Sequence, residues 1–127
     1  MEDNRADIHL IRDAIAASQI PSSVQVVRDG EQATDVFDKA DREEAAACPD
    51  LVILDINLPK KEGSQVLAHL RQSRRCRDTR VVVVSTSSID PSRPPFGQLG
   101  VNAFFQKPSS YQEFLKLGEV IRSVFAS

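Results

Sequence analysis

Two apolar runs without alternation, "LVIL" at 51–54 and "VVVV" at 81–84, constrain this chain more than any other feature. A strand with one face in water alternates apolar and polar side chains, so a run apolar at every position has to be covered on both faces. Strands of that kind belong to parallel sheets enclosed between helices. The flanking sequence agrees, because helix and strand signals take turns along the chain. Ile8, Ile11 and Ile15 fall on one helical face, and Asn4 with Asp7 three residues on reads as a capping box at its start. "VQVV" at 24–27 is a short strand closed by the turn pair Asp29-Gly30. Ala33, Val36, Phe37 and Ala40 make a second helical face, followed by the charged connection "DREEAAACP". After the 51–54 run, Ser64 can cap a helix that carries Val66, Leu67 and Leu70 inward. "VNAFFQKP" supplies a last strand and "SSYQEFLKLGEVIRSVFAS" a final helix.

This alternation, with connections long enough for crossovers, predicts an α/β doubly wound parallel sheet with helices on both faces. The 127 residues suit one domain, 1–127, with no repeat or linker. A net charge of −2 argues against a general nucleic-acid binder. The arginine-rich "RQSRRCRDTR" has no interleaved aromatics and reads as a solvated loop before a strand. No run is long enough to span a bilayer and no signal peptide opens the chain, so a cytoplasmic protein is expected. Cys48 and Cys76 lie far apart and outside any CxxC pattern, which predicts reduced thiols. With only His9 and His69 beside them, zinc-ligand spacing is missing.

In an open parallel sheet, ligands bind outside the carboxyl ends of the strands. The residues predicted at those ends are unusual. Asp55 and Asn57 close the first apolar run, Ser85 and Thr86 the second, and Lys107 the last strand, while Glu2 and Asp3 precede the first helix. Three acids, a hydroxyl and an amine thus converge on one rim if the sheet is parallel. Clustered carboxylates raise one another's pKa unless a cation sits among them. An all-oxygen donor set suits magnesium, to which Asn57 can add its main-chain carbonyl. Taken singly, each of these residues has a plainer role. Asp55 could be a turn former, Lys107 a solvated side chain, Phe104 and Phe105 core, and Glu2 and Asp3 acids favouring a helix start.

Together, "EDN" before the first helix, "LVILDINLP" with Gly63 beyond it, "VVVVSTSS" and "FFQKP" resemble the receiver domains of two-component response regulators, the CheY-like fold. The stretches "EDNRADIHLIRDAI" and "VVVVSTSS" look closest to single-domain regulators paired with bacterial phytochrome-type sensor kinases. The resemblance implies a five-stranded flavodoxin-like sheet of order 2-1-3-4-5. It implies that Asp55 accepts a phosphoryl group from a sensor histidine kinase or a histidine phosphotransfer protein. Mg2+ or Mn2+ would be held by Glu2, Asp3, Asp55 and the carbonyl of Asn57. Lys107 and Ser85 would contact phosphoryl oxygens, and Ser85 with Phe104 would form the switch pair. Asn57 and Ser87 stand at positions that tune the lifetime of the phosphate in the family.

Two departures qualify it. The family's first strand, central in the sheet, would precede Glu2, and Met1 stands where its last residue belongs. Pro94 and Pro95 fall where the fourth helix lies, which predicts a short or irregular helix there. In the final helix, Tyr111, Phe114, Leu115 and Ile121 can face the sheet. Leu117, Val120 and Val124 widen the apolar stripe, so a homodimer through this helix and the last strand is also expected. The leading reading is a stand-alone phosphoacceptor switch rather than a conventional enzyme, with no room for an output domain after residue 127. One alternative is a phosphorylation-independent interaction module, although the acids, acceptor and lysine it would lack are present. Another is a haloacid-dehalogenase-like phosphatase, which wants a second Asp where Asn57 stands.

Overall fold

The computed structural model describes residues 5–20, 30–43, 45, 47–55, 63–85 and 100–126, with only the backbone at 5, 55, 63, 64 and 126. The elements, in chain order, are α1 (Arg5–Ala17), α2 (Gly30–Arg42), β1 (Leu51–Asp55), α3 (Gly63–Gln72), β2 (Arg80–Ser85), β3 (Ala103–Gln106), α4 (Tyr111–Phe114) and α5 (Leu117–Ala126). The three described strands form a parallel sheet in the order β1-β2-β3. Leu51 pairs with Arg80 through to Asp55 with Val84, and Val82 pairs with Ala103 through to Ser85 with Gln106. A parallel sheet between helices is the α/β architecture the sequence predicts. The "VQVV" strand, the slot of the family's first strand and the proline-interrupted fourth helix lie outside the described residues.

Burial explains why the apolar runs do not alternate. Along β2, Val81 and Val83 point into one core with Phe37, Leu54, Val66, Leu67 and Leu70, while Val82 and Val84 point into a second with Ile11, Ala14, Phe114 and Ile121. The first core is covered by α2 and α3, the second by α1, α4 and α5, so successive side chains of one strand meet different helices. The predicted inward faces of α2 and α3 hold: Ala33, Phe37, Ala40, Val66, Leu67 and Leu70 are all buried.

The final helix departs from expectation in three ways. It is broken: the N–H of Lys116 donates to the Glu113 carbonyl and that of Gly118 to the Leu115 carbonyl, a tightened turn that separates α4 from α5. Tyr111 does not face the sheet. It is 52% exposed, and its hydroxyl donates to Asp13 Oδ2 at 3.0 Å. That hydrogen bond pushes the phenol pKa up. Leu117 and Val124, assigned to a second protein, are buried within the chain in the core shared with α1. Each such side chain gains about 1.5–3 kcal/mol from burial, a gain already taken by α1 and no longer on offer to a partner. Gly118 makes this packing close: a Cβ there would lie 2.6 Å from the Ala14 carbonyl oxygen. A glycine inside a helical pattern is the sequence sign of such an approach.

At the amino ends of the strands, one more expectation fails. Cys48 and Cys76 are joined in a disulfide that ties the segment before β1 to the loop after α3, with their Cα atoms 5.4 Å apart. Sequence spacing says nothing about Cα distance, which is what permits a bridge. The arginine-rich segment is the exposed loop before β2 that the sequence predicts, with Arg74, Arg75 and Arg77 at the surface, and it is also tied to the end of α2. The Asp41 carboxylate, in the last turn of α2, accepts from Ser73 Oγ and from the main-chain N–H groups of Arg74 and Arg75. Arg74 donates to the Asp41 carbonyl, and Arg75 to those of Ala40 and Glu43. Those carbonyls end α2 without helical partners, and cations are favoured there. Arg71 similarly gathers the carbonyls of Arg77, Thr79 and Gly100, tying the loop before β2 to the one before β3. Burial pulls its guanidinium pKa down.

Candidate functional site

Three of the residues predicted to form the site, Asp55, Ser85 and Lys107, fall at the opposite rim of the sheet. Register sets Asp55 at the end of β1 beside Val84, so that Ser85 is the next residue along β2. Ser85 pairs with Gln106, and the Lys107 N–H donates to the Ser85 carbonyl at 2.6 Å, which extends the β2–β3 ladder by one residue. With parallel strands about 4.8 Å apart, the backbones of Asp55, Ser85 and Lys107 fall along one edge about 10 Å long. Glu2, Asp3 and Asn57, the other predicted members, lie outside the described residues.

Lys107 is the best-defined group of the rim. Its side chain is only 7% exposed, and Nζ donates to Asp7 Oδ2 at 2.9 Å. An ammonium so withdrawn from water requires a counter-charge. Asp7 stands in the first turn of α1, where a carboxylate is also favoured by the helix N-terminus. The sequence pointed to Asp7 only as a capping partner of Asn4; its place beside Lys107, 100 residues away, had no local signal. Ser85 is buried, at 1% exposure, and no buried side-chain polar atom among the described residues lacks a hydrogen-bond partner. Phe104 pairs with Val83 in β3 and is half-buried against the α2–α3 core. Phe105, on the other face, meets Phe114 edge to face at 5.8 Å.

The donor set assigned to a cation, Glu2, Asp3, Asp55 and the Asn57 carbonyl, is all oxygen, and that chemistry fits a hard divalent ion. Among the described residues no group of three or more His, Cys, Asp or Glu side chains forms a metal cluster.

The parallel sheet enclosed by helices is a fold found in known proteins. Residues 1–118 match the response regulator receiver domain. The chain belongs to that family. This receiver is similar to the response regulator Rcp1 of Synechocystis sp., with 31% identity over 97% of this chain and 84% of Rcp1. The structure of the phosphorylated cyanobacterial phytochrome response regulator RcpA is 35% identical, with a TM-score of 0.83 over 100% of this chain and 91% of that one. The Mn2+-bound form of Rcp1 superposes with a TM-score of 0.81 at 30% identity, covering 98% of this chain and 90% of that one. Among the described residues, no helix of this receiver is long and apolar enough to cross a membrane.

Proposed function

We propose that this receiver is a single-domain phosphoacceptor switch of a two-component system, phosphorylated on Asp55 by a sensor histidine kinase of the phytochrome-associated kind. The observation that carries the reading is the withdrawn Lys107, held next to Ser85 at the strand rim where β1 delivers Asp55. A cation at that position is suited to a phosphoryl oxygen. In the proposed reaction a carboxylate oxygen of Asp55 attacks the phosphorus of a phosphohistidine. The P–O bond forms as the P–N bond breaks, and the imidazole leaves with a proton from solvent. Lys107 meets one phosphoryl oxygen and the Ser85 hydroxyl donates to another. The coupled movement of Ser85 and Phe104 then alters the surface around β3. When bound, Mg2+ or Mn2+ held by Glu2, Asp3, Asp55 and the Asn57 carbonyl would neutralise charge on the transferring group.

The likeness to RcpA and Rcp1 supports a sensor kinase of the phytochrome type as the phosphodonor. A cytoplasmic location belongs to the same reading, because the phosphodonor is a cytoplasmic kinase domain. Homodimerisation through α5 and β3 loses its main argument with the burial of Leu117 and Val124 inside the chain, and is no part of the proposal. The test is labelling by acetyl phosphate in Mg2+. The wild type should take up one acid-stable, base-labile phosphate and Asp55→Asn none. Undiminished labelling of Asp55→Asn would remove Asp55 as acceptor.

A further inference from the structure

The ion pair between Lys107 and Asp7 adds a group to the site that the predicted constellation does not contain. Lys107 Nζ lies 2.9 Å from Asp7 Oδ2, with the lysine side chain 7% exposed and the aspartate 22%. A withdrawn ammonium exchanges counter-ions more readily than it goes without one, because leaving it unpaired carries the full cost of desolvation. The aspartate is in the easier position: part of its side chain already meets water, so it can lose the lysine and be solvated where it stands. The lysine therefore has reason to exchange Asp7 for an anion that arrives.

We propose that Asp7 is a positioning residue that holds Lys107 before phosphorylation and competes for it with the phosphoryl group. The inference rests on the phosphoacceptor reading and deepens it. Asp7 keeps the ammonium at the rim, oriented and charge-compensated, and gives it up when a phosphoryl dianion offers a stronger counter-charge. The competition lowers the affinity of the site for the phosphoryl group, and with it the tendency to switch without a signal. It also ties the site to α1. Release of Lys107 removes a constraint on the first turn of that helix, whose later turn packs on Gly118 of α5.

The test uses beryllofluoride in Mg2+, a mimic of the aspartyl phosphate, with binding to the full chain followed by 19F resonance and calorimetry. Asp7→Asn removes the competing charge and keeps the shape of the side chain. Its beryllofluoride affinity should rise roughly five- to tenfold, as expected for loss of one partly buried ion pair. Asp7→Glu, which restores the charge, should return the affinity toward that of the wild type. Asp13→Asn, on the same helix but bonded to Tyr111, should leave it unchanged. An Asp7→Asn affinity equal to or below the wild-type value overturns the proposal. A second reading needs no variant: the Asp7 carboxyl 13C resonance of the wild type should shift when beryllofluoride binds, and a static resonance overturns the proposal as well. Failure of the phosphoacceptor reading looks different. In that case the wild type takes up no beryllofluoride, or Asp55→Asn takes up as much, and the Asp7 inference falls with it.

Discussion

The two rims of the sheet use polar groups in opposite ways. At the amino ends of the strands, charges and hydroxyls lock covalent segments to one another: Asp41 gathers Ser73, Arg74 and Arg75, Arg71 gathers three carbonyls from two loops, Thr79 Oγ1 donates to the Pro49 carbonyl, and Cys48 is bonded to Cys76. At the carboxyl ends, Lys107, just beyond β3, is held by a side chain on α1, Asp7, in a pair that we propose a stronger anion replaces. The first kind of contact fixes backbone against backbone. The second positions a functional group while leaving it able to change partner. In the proposed mechanism, function sits where the scaffold leaves a group exchangeable, while the opposite rim supplies rigidity.

Three experiments would break or sharpen that contrast. The largest effect is expected from Lys107→Ala. It should slow labelling of Asp55 by about a hundredfold, the usual consequence of removing one group that stabilises a transferring oxyanion. Thermal stability should change far less than activity, and a variant that labels at the wild-type rate would show that the carboxyl rim does not depend on its lysine. Next comes reduction of the disulfide. Opening a bridge across 28 residues should cost about 3.5 kcal/mol of stability, seen as a lower urea midpoint in reductant. Labelling of the still-folded protein should persist, because the bridge lies at the opposite rim. Equal midpoints with and without reductant would remove the disulfide from the account.

The smallest effect concerns Asp41. Hydrogen bonds from the Arg75 N–H first, then from Ser73 and Arg74, hold its carboxyl below the ordinary carboxylate pKa against the opposing effect of desolvation. The folded state therefore binds this proton less readily than the unfolded chain. The resulting stabilisation is complete above the ordinary carboxylate pKa and is lost as pH falls through the lowered one. Stability measured by urea melts should accordingly fall less steeply with acid in Asp41→Asn, while labelling at neutral pH stays the same. Identical acid profiles for the two proteins would mean that Asp41 is exposed to solvent in practice and caps nothing.

How legible the chain was depends on the range of the interaction. The inward faces of α2 and α3 followed from the spacing of Ala33, Phe37, Val66 and Leu70, because helical periodicity is a local property. The same reasoning failed in the last helix. Leu117 and Val124 were as apolar as predicted, but what covers them is α1, about a hundred residues earlier. Tyr111 kept the right spacing for the sheet and still turned outward, since α4 is only one turn long and Asp13 offers its hydroxyl a partner. The arginines were visible as a charge cluster, yet only the end of α2 shows which carbonyls they serve.

The amino-acid order by itself determined that β1 and β2 are buried on both faces, that helices must flank them, and that Asp55, Ser85 and Lys107 end successive parallel strands. Each of these follows from patterns a few residues long and from the direction of the chain. Tertiary structure alone decided that Asp7 answers Lys107, that Cys48 meets Cys76, and that Leu117 and Val124 of α5 share a core with α1. Those outcomes depend on distances between residues remote in the chain. Ion pairs, disulfides and close helix packing are all steep functions of separation, and separation is set only when the layers assemble.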